Sequence, residues 1–86
     1  MSCMDDKILA YSKNSPCADA SVSEYKFRGK AVFVFEPGTC GADMGTDVYD
    51  SSCNHLGMLG GFAGITKING IDFDSNAAFV KTIWKK

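Results

Sequence analysis

A chain of 86 residues has room for one domain, read here as spanning residues 1–86. A domain this small hides roughly 60–65% of its unfolded surface, so a staple, a metal or a partner is expected to support it. Nine basic against ten acidic residues, scattered without a basic stripe, exclude an electrostatic nucleic-acid binder, and an apolar content of 45% with six Phe, three Tyr and one Trp excludes a disordered chain.

In chain order, Ser2-Cys3-Met4-Asp5 has the form of a capping box, and Met4, Ile8 and Tyr11 then recur at helical spacing with Leu9 beside them. This predicts a short amphipathic helix from about residue 3 to 13, stopped by Asn14-Ser15-Pro16. The run 22–36 has two apolar-rich arms around Arg28-Gly29-Lys30 and predicts a β-hairpin. With a two-residue turn, Tyr25 and Phe27 share a face with Val32 and Val34, and Lys26 and Arg28 share the other with Ala31, Phe33 and Phe35; a three-residue loop inverts that parity. Either way the second arm is apolar on both faces and belongs in the middle of a sheet.

A second hairpin is expected over residues 46–59, turning within Ser51 to Asn54, and Asn69-Gly70 predicts a third. Residues 74–79 suit one helical turn with Asp74 as N-cap, and the chain closes on a strand anchored by Trp84. The glycines of 57–64 match no phosphate-binding pattern and are read as turns and close backbone approach, with Trp84 as a candidate neighbour. Residues 51–66 carry no formal charge, but they are glycine-rich and shorter than the ~20 apolar residues of a helical membrane span.

No apolar leader follows Met1-Ser2-Cys3, so the compartment is read from the cysteines. Four in 86 residues, none in a C-x-x-C pair, fit disulfides in an oxidising compartment. Cys40 with Cys53 would close a loop of about 14 residues and stabilise by ~3 kcal/mol in the chain-entropy model. Cys3 with Cys17 then follows by elimination. Geometry resists that second pair, because a helix from 3 to 14 rises about 16 Å and three residues return at most ~10 Å. A later helix start or other partners for Cys3 and Cys17 remain open, as does acylation of Cys3.

Pro37-Gly38-Thr39-Cys40-Gly41-Ala42-Asp43, Val48-Tyr49-Asp50, Cys53-Asn54, Gly60-Gly61, Gly64 and Ile83-Trp84-Lys85, in that order, resemble a family of small bacterial lipoproteins or secreted proteins, a domain of unknown function. The likeness runs from Cys3 to Lys85. It implies an exported bacterial protein, periplasmic, outer-membrane-anchored or secreted, often tethered by a lipid on a cysteine upstream of the domain. It implies no catalytic residues. Some relatives carry cysteines where this chain has Gly41 and Gly70, so their pairing pattern is not carried over.

Candidate chemistry concentrates in residues 39–64. Asp43, Asp47, Asp50 and Asn54 are oxygen donors that could hold calcium, and Asp50, Ser52 and Asn54 take the first, third and fifth places of an EF-hand-like loop. His55 stands where that loop needs glycine and Gly61 where it needs glutamate, so Asx-turns are the simpler account. A zinc site from Cys40, Cys53 and His55 lacks the spacing and a fourth ligand. His55 has no evident catalytic partner in the sequence.

These readings give an α+β domain, with an N-terminal helix packed on a disulfide-stapled antiparallel sheet of about four strands. Lys26, Arg28, Phe33 and Phe35 form a candidate partner surface. The expected function is a non-enzymatic binding module without a cofactor, for a protein or small-molecule partner. A calcium-stabilised structural module is the alternative, and a small hydrolase or hydrolase inhibitor stands behind it.

Overall fold

The computed structural model describes residues 3–14, 17–41, 44–61 and 64–86. Helix α1 is Cys3–Asn14, with Asp5 and Asp6 in its first turn and Lys13 in its last, each favourable to the helix dipole. Ser2 of the capping box and the Ser15-Pro16 stop lie outside the described residues. Strands β1 (Ser21–Phe27), β2 (Lys30–Glu36), β3 (Gly45–Asp50) and β4 (His55–Gly60) follow as two successive hairpins. The short β5 (Lys67–Ile68) and β6 (Ile71–Asp72), the single turn α2 (Phe73–Asn76) and the nine-residue β7 (Ala77–Lys85) complete the chain.

The main sheet has five antiparallel strands in the order β4-β3-β2-β1-β7, which puts β2 at its centre and β7 at one edge. The fold is mainly β. This overturns the expected α+β layout of a helix packed on about four strands: among the described residues 51% are in strands, and α1 is the one helix longer than a turn. The physical reason is that β7 returns to pair along all of β1, so the sheet itself makes the core, whereas α1 fully buries Met4 alone.

Phe27 pairs with Lys30, so the first hairpin turns on the two residues Arg28 and Gly29, with φ of 52° and 83°. That register puts Tyr25, Phe27, Val32 and Val34 on one face, joined by Val48 from β3. On this face Phe27, Val32, Val34 and Val48 pack with Ile68 and Phe73, so the β5–β6 hairpin and α2 complete the larger core cluster. A Cβ on Gly57 would sit 3.0 Å from the Ile68 side chain, so that glycine admits Ile68 and not Trp84. On the other face Val22 and Phe35 cluster with Met4, flanked by Ile8, Tyr11, Phe33, Tyr49 and Trp84.

The N-cap of α2 is Asp72, not Asp74: its carboxylate accepts from the Ser75 amide at 3.0 Å, three residues on, where a cap must reach.

The disulfides are Cys3–Cys53 and Cys17–Cys40, with Cα separations of 6.3 and 5.5 Å. Both expected pairs are thereby corrected. Cys40 precedes β3 and Cys53 follows it, so six extended residues, about 20 Å, hold them apart. Cys3 opens a 12-residue helix about 18 Å long and Cys17 lies past its other end. Cys53 instead meets the start of α1, and Cys17 meets the segment after β2.

Candidate functional site

The chemistry-bearing stretch forms the β3–β4 hairpin. The period of two puts Asp47 and Tyr49 on one face of β3, and Tyr49 pairs with His55 across to β4. His55 Nε2 therefore reaches Asp47 Oδ1 at 3.0 Å, and its ring meets the Tyr49 ring edge-on with centroids 5.1 Å apart. Lys7 of α1 comes down over the Tyr49 ring, its Nζ 4.3 Å from the centroid. Beside them opens a cleft of about 280 Å³ lined by Lys7, Tyr11, Asn14, Phe35, Asp47 and Tyr49.

The Tyr11 hydroxyl oxygen is buried there with no hydrogen-bond partner among the described residues. Burial first, then the charges of Asp47 and Glu36, push its pKa up; burial and Asp47 do the same to Tyr49. The His55 and Asp47 side chains are 50% and 44% exposed, so water screens the pair. All four cysteines are bonded, so no thiol nucleophile serves it.

Of the proposed calcium ligands, the structure brings Asp50 and Asn54 together and leaves Asp47 apart from them. Asp47 and Asp50 are three residues apart on β3 and leave opposite faces of the sheet, Asp47 opposite Phe35 and Asp50 opposite Val32. Asp50 is spent on its own turn. Its Oδ1 accepts from the Ser52 and Asn54 amides, both at 2.9 Å, and its Oδ2 from Asn54 Nδ2 at 3.0 Å. Those bonds, the Asn54 side chain's first, hold its carboxyl below the usual range. Asp43 lies outside the described residues, and among those described no three His, Cys, Asp or Glu side chains converge as metal ligands.

The expected partner surface also comes apart. Phe35 is 3% exposed and Phe33 packs beside it, while Lys26 and Arg28 are exposed. The parity is as expected for a two-residue turn. However, Phe35 is buried with Met4 of α1, and Ile8, Tyr11 and Phe33 flank that cluster.

Two features escape sequence reasoning. One is the exposure of the closing strand β7, whose Phe79, Val80 and Ile83 are 59%, 46% and 39% exposed. The other is a cleft of about 400 Å³ where the Arg28-Gly29 turn meets Asn69 of the Asn69-Gly70 turn, with Phe27, Val32 and Leu56 in its lining and Arg28, Lys30 and Asp50 as its charged groups. Both turns are legible in the sequence; their meeting depends on where the β5–β6 hairpin lands.

The model of a family described as a domain of unknown function (DUF6970) matches residues 6–86. No curated protein and no solved structure matches the chain.

Proposed function

The chain belongs to that family, and from its geometry we propose that it is a small exported binding module, without catalysis of its own, that takes an extended segment of another protein along the outer edge of β7. The two disulfides support an oxidising, extracytoplasmic setting. The resemblance to small bacterial lipoproteins supports tethering through a lipid on a cysteine upstream of the domain. Cys3 is not that cysteine, since its sulfur is bonded to Cys53.

The observation that carries the reading is β7 itself. An edge strand leaves one row of backbone N–H and C=O groups open to another strand. β7 offers nine residues of such edge without Pro or Gly, and Phe79, Val80 and Ile83 lie exposed along it. Val80 and Ile83 fall at the two register shifts against β1, between Phe79 and Lys81 and between Thr82 and Trp84, so each is an extra residue of a bulge.

A second copy is the poorer occupant. Full antiparallel overlap of residues 77–85 with themselves puts Lys81 opposite its own counterpart, a like-charge pair. The strand's charges are Lys81 and Lys85, with no acid, so an extended partner carrying acidic side chains between apolar ones complements it.

The test uses two nine-residue peptides, one alternating Val with Glu and one alternating Val with Lys, with amide exchange of β7 as readout. The Glu peptide is expected to slow exchange along β7, to lose that effect in salt and to fail against Phe79→Ser/Lys81→Glu; the Lys peptide should do nothing. Equal protection by both peptides, protection by neither, or a β7-mediated dimer of the free protein would overturn the reading.

A further inference from the structure

A second surface, remote in chemistry from the β7 edge, carries an inference of its own: we propose that the cleft between the Arg28-Gly29 turn and Asn69 binds a small organic anion, its carboxylate taken by Arg28 and Lys30 and its apolar body lying on Phe27, Val32 and Leu56. A volume of about 400 Å³ is within the range of small-ligand sites. The floor is apolar and built on the core, since Phe27 and Val32 are 8% and 2% exposed and belong to the main cluster, with Leu56 packed against it.

The two cations stand at the exposed rim, and neither is in an ion pair among the described residues. Asp50 also lines the cleft, but both its oxygens accept from Ser52 and Asn54 in its own turn. It lowers the local positive charge without occupying either cation. A guanidinium with an ammonium beside it gives a planar carboxylate a two-point seat plus a point charge.

The two turns supply an independent observation. They have nearly the same backbone: φ is 52° and 78° at Asn69-Gly70, and 52° and 83° at Arg28-Gly29. Such turns favour Asn, Asp or Gly at the first position, because a longer side chain is strained at positive φ. Asn69 follows that rule and Arg28 breaks it. The Arg28 amide donates to the Asn76 carbonyl at 3.0 Å, a backbone bond that any non-proline residue would make. The turn therefore has no conformational need for arginine, and its side chain lines the cleft. A local rule broken without structural return is where function is looked for.

The probe is 2-naphthoate, with the neutral 2-naphthamide as its isostere, followed by chemical-shift mapping and titration on the intact oxidised protein. Naphthoate is expected to shift Phe27, Arg28, Leu56 and Asn69 and to bind at least ~10-fold more tightly than the amide, with affinity falling in salt. Arg28→Asn should raise the melting temperature, since it relieves the turn, while weakening naphthoate about 10-fold or more. Lys30→Gln, which leaves the turn alone, should weaken it several-fold. Equal binding of acid and amide, shifts located elsewhere, no binding of naphthoate at all, or undiminished binding to Arg28→Asn and Lys30→Gln would overturn the proposal.

Discussion

β2 and β7 are both apolar strands, and they meet opposite fates. In β2, Val32, Val34 and Phe35 are 2–4% exposed; in β7, Phe79 is 59% and Val80 46% exposed. Apolarity does not separate them; position in the sheet does. β2 lies between β1 and β3, with the β5–β6 hairpin and α2 packed towards one face and α1 towards the other. β7 pairs with β1 alone, and its bulges at Val80 and Ile83 disrupt the register even there. The staples deepen the contrast. Cys3–Cys53 ties α1 to the β3–β4 turn and Cys17–Cys40 ties the segment before β1 to the segment after β2, while neither touches β7. One side of the molecule is interior and cross-linked; the other is an edge held by pairing and by Trp84, whose indole meets the Tyr11 ring at 6.0 Å.

The largest expected effect comes from breaking the cross-linked side. Cys3–Cys53 spans a sequence separation of 50. Replacing both with Ala should cost about 4 kcal/mol by loop entropy, read from urea unfolding, with β3–β4 amides losing most protection. Native exported protein should show no alkylatable thiol before reduction; free thiols there would undo both the staple and the export reading.

A smaller effect tests the two strands directly. Phe35→Ala removes a ring packed edge-on against both Tyr11 and Tyr49, with centroids 5.2 Å away in each case, and should cost about 3 kcal/mol or more. Phe79→Ala trims an exposed ring that meets Tyr25 at 5.5 Å and should cost less than about 1 kcal/mol. Comparable losses would mean that β7 is buried in solution, by a partner or by a second copy.

How much of this was legible follows the range of the interactions. Arg28-Gly29 and Asn69-Gly70 announce their hairpins because turn chemistry is local. The central place of β2 is legible because a strand apolar on both faces needs cover on both. The edge position of β7 is not: β1 and β7 are joined by Ser21–Lys85 through Phe27–Ala77, pairs about fifty to sixty residues apart, and nothing local encodes such contacts. The cysteine pairs failed for the same reason, since loop length favoured the near partner while β3 and α1 hold those partners apart. At the candidate site, the Asx role of Asp50 was legible from spacing, and the His55–Asp47 pair required the β3–β4 register.

The smallest expected effect asks whether carboxylates back up the disulfides. Thr39 donates its hydroxyl to Asp19 at 2.6 Å beside Cys17–Cys40, and Asn54 and Ser52 hold Asp50 in the turn that contains Cys53. These bonds, the Thr39 hydroxyl's first for Asp19 and the Asn54 side chain's first for Asp50, keep both carboxyls below the ordinary range. A carboxylate whose pKa is lowered by folding stabilises the fold above its unfolded value, near 3.9, and loses that contribution as pH falls through the folded value. Asp19 is exposed and Asp50 only partly covered, so the acid loss should be slight while the disulfides hold the same two places closed. Reduction removes that redundancy. The fall in melting temperature between pH 5 and pH 2.5 should therefore be larger in the reduced protein, and Asp50→Asn, which keeps the acceptor for Ser52 without the charge, should flatten it. An identical acid response in oxidised and reduced protein would mean that the carboxylate turns and the disulfides hold separate parts of the fold.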